Sequence, residues 1–412
     1  MSVIKPFCAV RPKKEYASLV AALPYDVMNS AEAREKVKGA PYSFIHVDKA
    51  EVDLPEDTDI YSAQVYEKAA ENLKKLEADG ICVRESEPKL YIYRQQMGDT
   101  VQTGIVGCAS VDDYLNGVIK RHELTRADKE EDRIRHVDTC NANTGPIFLA
   151  YRREAGIDAV IDKYTALEPE YDFTSDGGFK NTVWVISSPG DIAAVTEGFG
   201  KVGSLYIADG HHRAASAVKV AQKRRAQNPG MDGSEEFNFF LAVYFRADEL
   251  KILDYNRLLK DTNGNTDEEL FGKLESVFDI TPSDVPVKPA ERHSFGMYFR
   301  ERWYSLKLRE GLADENDAVA SLDVSLLQKY VNSAIFGIGD PRTDSRIDFV
   351  GGIRGLAELE KRCHGDMELA FSMYPTSLDE LMAIADAGEI MPPKSTWFEP
   401  KLLSGLFIHY LG

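Results

Sequence analysis

The stretch Leu205-Tyr206-Ile207-Ala208-Asp209-Gly210-His211-His212-Arg213-Ala214-Ala215 joins a short apolar run to a run rich in alanine. The apolar run predicts a buried strand over residues 204–208, and the alanine-rich run predicts a helix over 213–227. Residues 209–213, which we call the GHHR turn, therefore connect a strand to a helix. We take this turn as the candidate functional centre.

The GHHR turn has the composition of an anion-binding site. Gly210 permits a tight turn and a close approach of the backbone to a ligand. The following helix presents free N–H groups and the positive end of its dipole. Arg213 opposes that dipole, so a negative group is expected opposite it. His211 and His212 add donors that change protonation near neutral pH; the alternative is a structural turn capped by Asp209 with packed histidines.

Helices and strands are predicted on both sides of the turn. Before it, a helix capped by Ser30 is predicted, helical spacing marks residues 61–78, and residues 89–95 and 101–110 are predicted to form a hairpin. After it, a strand is predicted over 238–246, followed by further strands and by helices over 324–334 and 378–386. Because this order is too irregular for a ladder of βαβ units, the predicted fold class is α+β with mixed sheets.

Two further segments define the organisation of the chain. Residues 119–143 are unusually charged, and a charge run taken alone predicts a solvated helix face. The polar run at 261–265 is the best candidate boundary, since a chain of 412 residues exceeds the usual size of one core. We therefore predict a first domain over 1–260 and a second over 261–412.

Composition excludes several classes of function. The 49 basic and 67 acidic residues give a formal net charge of −18, which disfavours nucleic acid and anionic membranes as partners. No apolar run is long enough for a signal peptide or a transmembrane helix, so a cytoplasmic location is expected. The oligomeric state is left open.

The sequence predicts neither a disulfide framework nor a zinc site. The five cysteines are scattered and form no CxxC pair. A site built on His211 and His212 is not predicted either, because adjacent residues rarely face one ion and no third ligand is identifiable.

Several motifs in order resemble the family called domain of unknown function 1015. The turn reads YIADGHHRAA over residues 206–215, and nearly the whole chain contributes further matches. These are Ile4-Lys5-Pro6-Phe7, Leu23-Pro24-Tyr25-Asp26-Val27, Pro41-Tyr42-Ser43-Phe44, Arg121-His122-Glu123 with Thr125, Glu131-Asp132-Arg133, Asp348-Phe349-Val350-Gly351-Gly352-Ile353-Arg354, and Met391-Pro392-Pro393-Lys394-Ser395-Thr396-Trp397-Phe398.

The GHHR turn is itself similar to the nucleotide-binding turn of the ParB/sulfiredoxin superfamily, which includes a free serine kinase, sulfiredoxin and CTP-binding ParB proteins. This resemblance implies a ParB/sulfiredoxin-like nucleotide-binding core with a second α+β domain. Sulfiredoxin chemistry would need a cysteine in the turn, where Gly210 is followed by His211. A ParB-like role in DNA partitioning would need a basic surface, which the negative charge does not supply.

The resemblance and the residues together favour a nucleotide-dependent phosphotransferase acting on a small hydroxylated metabolite, with free serine as a candidate. ADP or ATP is the implied cofactor, with Mg²⁺ held mostly by phosphate oxygens. Glu123 is the candidate general base, with Asp26 and Asp132 as rivals. The candidate catalytic residues are Glu123, His122, Asp209 and His212, and the candidate nucleotide-binding residues are Asp209, Gly210, His211, His212, Arg213, Arg121, Arg133 and Lys394.

Two alternatives stay open. A non-enzymatic nucleotide-binding regulator, like a ParB sensor, could use the same turn, although a sensor needs no proton acceptor beside its phosphate donors. An enzyme of different chemistry could use the turn for a phosphorylated metabolite.

Overall fold

The computed structural model describes residues 1–412, and the chain divides into two compact units. The first unit comprises Met1–Leu250 together with Pro400–Gly412, and the second comprises Lys251–Glu399. The sequence-based division instead placed the boundary after residue 260 and kept the C-terminal stretch in the second part. The observed units follow strand pairing: Tyr255–Leu259 pairs with strands of the second unit, while Ile408 exchanges backbone hydrogen bonds with Val10 of the first.

The first unit contains most of the helices and strands. Its strands are β1 (Ile4–Lys5), β2 (Val10–Pro12), β3 (Cys82–Arg84), β4 (Leu90–Met97), β5 (Thr100–Ser110), β6 (Ile119–Lys120), β7 (Ala142–Asn143), β8 (Ile147–Tyr151), β9 (Tyr171–Thr174), β10 (Lys180–Ile186), β11 (Leu205–Asp209), β12 (Phe239–Arg246) and, at the C-terminus, β21 (His409–Tyr410). Its helices are α1 (Ala17–Val20), α2 (Ser30–Lys36), α3 (Ile45–Asp48), α4 (Ala63–Ala78), α5 (Val111–Leu115), α6 (Ala127–Cys140), α7 (Ala155–Thr165), α8 (Pro189–Lys201) and α9 (His211–Gln227).

A nine-stranded mixed sheet forms the centre of the first unit. Its order is β6-β11-β8-β12-β5-β4-β10-β9, with β1 paired to β5. Apolar residues of α7, α8 and α9 pack with this sheet in one core cluster. A second cluster combines apolar residues of α2, α3 and α4 with Val10 and Ile408. The C-terminal segment is thus part of the core of the first unit.

The second unit is built on an antiparallel sheet. Its elements are β13 (Ile252–Leu253), β14 (Tyr255–Leu259), α10 (Asp267–Glu275), β15 (Phe278–Ser283), β16 (Ser294–Phe299), β17 (Arg302–Leu308), α11 (Asp323–Leu327), β18 (Ile347–Gly351), α12 (Leu356–Cys363), β19 (Leu369–Met373), α13 (Leu378–Asp386) and β20 (Trp397–Phe398). The sheet order is β15-β17-β16-β19-β14-β18, and Leu359 of α12 packs into its core. The mixed sheet and the antiparallel sheet together confirm the α+β class.

Most predicted elements are present, with shifted ends. The hairpin is formed by β4 and β5, and α4 buries Val65, Leu73 and neighbouring apolar residues on one face. Helix α2 is capped by Asn29, in a capping box with Glu32, and not by Ser30. Residues predicted as one helix over 324–334 form α11 and a following π-helical segment, Gln328–Ser333. None of the helices is long and apolar enough to span a bilayer.

The charged segment 119–143 departs from the predicted solvated face. Helix α6 exposes Glu131 and Arg135 but buries Asp132, Arg133 and His136. Charged side chains are rarely buried without partners, so this face of α6 belongs to an internal polar site.

Candidate functional site

The GHHR turn joins β11 to α9 as predicted, with the helix beginning earlier. Gly210 adopts φ 92° and ψ 29°, a left-handed conformation that glycine tolerates best. Helix α9 starts at His211, and no side chain caps it. Asp209 instead accepts a hydrogen bond at Oδ1 from the backbone N–H of Gly210 (2.9 Å). The structural alternative, a turn capped by Asp209, is therefore not observed, and the first N–H groups of α9 lack partners within the helix.

Sheet register brings the Arg121-His122-Glu123 motif to this turn. Strand β6 runs parallel to β11, with Tyr206 opposite Lys120. Residues 121–123 leave β6 in the same direction in which β11 approaches Gly210. Two motifs that are distant in sequence are thus adjacent at one end of the sheet.

His122, Glu123 and His211 form what we call the imidazole cluster. The rings of His122 and His211 meet edge to face, with centroids 4.5 Å apart. Both histidines are buried (2% and 7% exposed), and Glu123 Oε2 lies 3.9 Å from His211 Nδ1. One potential ligand atom from each of the three residues lies within 4.8 Å of the others.

Both imidazoles in the cluster are held neutral. Burial lowers the pKa of His122 to about 4, although the negative charge of Asp209 opposes the shift. Burial also places the pKa of His211 well below its usual range, and the neighbouring His122, His212 and Arg121 act in the same direction. Neutral imidazoles can accept a proton or bind a metal.

His212 faces a different environment from its neighbour. It is half-buried, and burial lowers its pKa while the carboxylates of Asp26, Asp128 and Glu130 oppose that effect. The two adjacent histidines therefore face different groups, as expected for consecutive residues, which rarely face one ion.

Two arginines flank Tyr25 next to the turn. The guanidinium carbon of Arg133 lies 4.1 Å from the Tyr25 ring centroid, and that of Arg213 lies 5.0 Å from it. Arg133 is buried and binds Asp132 through Nε and Nη2, both at 2.9 Å. Its Nη1 is buried without a hydrogen-bond partner. We call Arg133 and Arg213 the arginine pair.

The negative group opposite Arg213 belongs to the protein. Arg213 Nη2 donates to Asp48 Oδ2 (2.7 Å), and Asp48 is only 3% exposed. Thr144 and Ser404 also donate to this carboxylate, at 2.8 and 2.7 Å. The inference that a cation here needs a negative partner holds, but an internal carboxylate already supplies one.

Lys401 joins the turn from the C-terminal segment. Its Nζ lies 2.8 Å from Asp209 Oδ2. Burial alone would raise the pKa of Asp209, but the charge and hydrogen bond of Lys401 outweigh it, and the pKa is lowered. Asp209 is therefore a carboxylate at neutral pH, oriented by Lys401 and Gly210.

The remaining predicted residues occupy different places. Arg121 is exposed, with its guanidinium 5.1 Å from the Tyr114 ring centroid. Lys394 belongs to the second unit, where its carbonyl accepts from Arg257 (3.0 Å) and its Nζ lies over the Tyr255 ring. All the predicted site residues except Lys394 therefore lie in the first unit.

Three contributors were not predicted from the sequence: Asp48, Lys401 and Ser404. Asp48 ends the mainly apolar run 44–48, in which His46 is the other polar residue, and Lys401 and Ser404 lie in the mainly apolar run 401–408. Because a polar group inside an apolar run must find a partner when it is buried, this pattern is the signal that could have identified them. Asp132, a rival for the general base, is instead engaged by Arg133 and by Tyr66 (3.0 Å).

Residues 4–325 match the family model described as Protein of unknown function (DUF1015). The chain belongs to this family. The resemblance seen in the sequence motifs is thereby confirmed. No curated protein matches the sequence.

Three solved structures are similar to parts of this chain. A free serine kinase in complex with AMP is 16% identical, with a TM-score of 0.34, covering 74% of this chain and 91% of its own. SbnI with C-terminal truncation from Staphylococcus aureus is 11% identical, with a TM-score of 0.36, covering 73% of this chain and 85% of its own. A conserved hypothetical protein from Pyrococcus furiosus is 16% identical, with a TM-score of 0.33, covering 74% and 95%.

Proposed function

We propose that this protein is a nucleotide-dependent phosphotransferase that acts on a small hydroxylated metabolite, with free serine as a candidate acceptor. The observation that carries the proposal is the arginine pair at Tyr25, beside the amino end of α9. Guanidinium groups and helix N–H groups are the donors that phosphates bind best.

The polar groups of the site support phosphate binding. The arginine pair is held in place by Asp132 and Asp48, so its geometry is fixed before a ligand arrives. Arg133 Nη1 has no partner, and an unsatisfied buried donor costs about 1–3 kcal/mol. A phosphate oxygen that reached this nitrogen would remove that cost. ADP or ATP is the proposed phosphoryl donor.

Phosphoryl transfer also needs a proton acceptor and a metal ion at the phosphates. Glu123, which is only half-buried, is the proposed general base, and exposed Asp26 near His212 is its rival. Asp209, His122 and His212 complete the proposed catalytic set. Mg²⁺ prefers oxygen ligands and would take one or two of these carboxylates together with phosphate oxygens and water.

The proposal is tested with a thermal-shift panel of ADP, ATP, CTP, serine and phosphoserine, each with and without Mg²⁺. Phosphorus NMR then follows transfer for every nucleotide that binds. We expect ADP or ATP to raise the melting temperature and a new phosphoester signal to appear with the acceptor. If no nucleotide shifts the melting temperature, the proposal is wrong.

Glu123→Gln separates the enzyme from the regulator. We expect this variant to retain nucleotide binding and to lose transfer by about 10²-fold or more, the usual contribution of a general base. Glu131→Gln is the matched control, because Glu131 is exposed on α6 and pairs only with exposed Arg135. Binding without transfer in the wild type would favour the nucleotide-binding regulator, and transfer that survives in Glu123→Gln would pass the role to Asp26.

A further inference from the structure

The imidazole cluster has the composition of a metal site that the sequence did not reveal. We propose that His122, Glu123 and His211 bind a divalent transition-metal ion. Two imidazoles and one carboxylate form a common set of protein ligands for catalytic zinc, and they leave a coordination position open. The inference needs no nucleotide, so it stands independently of the proposed function.

Unpartnered buried nitrogens point to a missing ligand. Neither ring nitrogen of His122 makes a hydrogen bond of normal geometry, and Nε2 of His211 has none either. These side chains are more than nine-tenths buried. Buried polar atoms are nearly always satisfied in native proteins. The Ile207 backbone approaches one ring nitrogen of His122, which leaves the other nitrogen of His122 and Nε2 of His211 to be explained. A shared ion would satisfy one nitrogen on each.

The geometry requires only a small adjustment. The three ligand atoms lie within 4.8 Å of one another, whereas ligands of a tetrahedral ion with bonds of about 2.1 Å are about 3.4 Å apart. The histidines are fixed by the β6–β11 register and by the start of α9. Glu123 is the adaptable member, because its side chain is 43% exposed.

The ligand chemistry selects the class of ion. Imidazole nitrogen suits Zn²⁺ and other late first-row ions, whereas Mg²⁺ prefers an all-oxygen shell. A bound ion would occupy the carboxylate of Glu123, to which the proposed reaction assigns the role of general base, so Zn²⁺ binding without nucleotide and phosphoryl transfer are measured separately.

The test measures ion binding directly on the purified, chelator-treated full chain without nucleotide. Zn²⁺ is titrated by calorimetry, and Co²⁺ is added as a spectroscopic probe whose visible absorption reports tetrahedral coordination. We expect one equivalent of each ion to bind, a visible Co²⁺ band, and no binding of Mg²⁺ at the same concentration. The absence of saturable Zn²⁺ binding would show that the two rings merely pack edge to face.

Variants assign the site to these residues. Glu123→Gln and His211→Gln are expected to weaken Zn²⁺ binding by about tenfold or more and to abolish the Co²⁺ band. His212→Gln is the matched control, since His212 neighbours His211 on the same turn but faces other groups. Circular dichroism checks that each variant is folded, and Glu123→Gln keeps the test valid if a buried histidine proves essential for folding. Zn²⁺ affinity that is unchanged in Glu123→Gln, or lowered equally in His212→Gln, would refute the assignment.

Discussion

Among single residues, Asp48 and Arg213 form the ion pair that limits which substitutions the GHHR turn accepts without loss of stability. Burial raises the pKa of Asp48, but Arg213, His136, Arg133 and the hydrogen bond from Ser404 together outweigh it, and the pKa falls to about 2. A carboxylate this deeply buried is stable only while its cation and its hydroxyl donors remain. Arg213 is therefore a structural residue as well as a candidate phosphate ligand.

Replacing Arg213 by alanine is expected to destabilise the first unit by about 3–5 kcal/mol, because it leaves the Asp48 charge buried and unpaired. Urea denaturation of the full chain measures the loss. The control is Arg135→Ala, which removes an exposed ion pair with Glu131 and should cost about 1 kcal/mol or less. Equal losses of stability in the two variants would contradict a structural role for the ion pair between Asp48 and Arg213.

Nucleotide binding is better tested with Arg213→Lys, because lysine keeps the positive charge but lacks the planar fork of the guanidinium group.

The ion pair between Asp48 and Arg213 also predicts that the stability of the protein depends on pH. The pKa of Asp48 is about 2 in the folded state, below the ordinary value of 3.8 for an aspartate in water. Its contribution is therefore present above about pH 4 and disappears as the pH falls toward 2. The stability difference between wild type and Asp48→Asn should shrink by about 2 kcal/mol between pH 6 and pH 2. A difference that stays constant with pH would mean that folding does not lower the pKa of Asp48.

At the scale of elements, the transition from β11 to α9 depends on one backbone conformation. Gly210 sits at φ 92°, where a residue with a side chain is strained by about 1–2 kcal/mol. A Cβ added there would lie 3.6 Å from the Cα of Ile147, an ordinary van der Waals contact. The requirement for glycine thus comes from the backbone and not from crowding. This conformation directs the amino end of α9 at the site.

Gly210→Ala is expected to lower the free energy of unfolding by about 1–2 kcal/mol. Gly200→Ala is the matched control, because Gly200 lies within α8 and an added Cβ there has no atom within 4 Å. Alanine in a helix should instead stabilise by about 0.5–1 kcal/mol. Thermal and urea unfolding of both variants measure the two effects, and a change of the same sign in both would contradict this explanation.

At the scale of the whole molecule, the chain returns to the first unit after completing the second. The segment from Pro400 places Lys401 beside Asp209 and Ser404 beside Asp48. Strand β21 pairs with β7 through His409 and Asn143. The segment also buries six large apolar side chains: Leu402, Leu403, Leu406, Phe407, Ile408 and Leu411. The C-terminus is therefore part of both the core and the site of the first unit.

Deletion of residues 400–412 is expected to unfold the first unit. Six buried side chains at about 2 kcal/mol each are comparable with the whole stability of a typical domain, about 5–15 kcal/mol. The backbone amides of β7 and β11 would then lose their protection from hydrogen exchange. Removal of Gly412 alone, which is exposed, is the control and should leave exchange unchanged. If the truncated chain kept the wild-type protection from hydrogen exchange, the segment would not be required for the fold of the first unit.

Consecutive residues were sufficient to predict the local elements and the family. Helix α4, the β4–β5 hairpin and the step from β11 to α9 were predictable, because periodicity and turn chemistry are encoded in consecutive residues. The GHHR turn and its companion motifs were also sufficient to indicate the family that the match over residues 4–325 confirms.

Which groups face one another could be seen only after the chain had been followed in three dimensions. Asp48 lies 165 residues from Arg213 in the chain, and Lys401 lies 192 residues from Asp209. His122 meets His211 only because β6 runs parallel to β11. Such pairings depend on sheet register and helix packing, which result from many weak contacts over the whole chain. They cannot be predicted from the residues of any single segment. For this reason, the sequence located the turn but could not reveal its internal carboxylate or its cluster of two histidines and a glutamate.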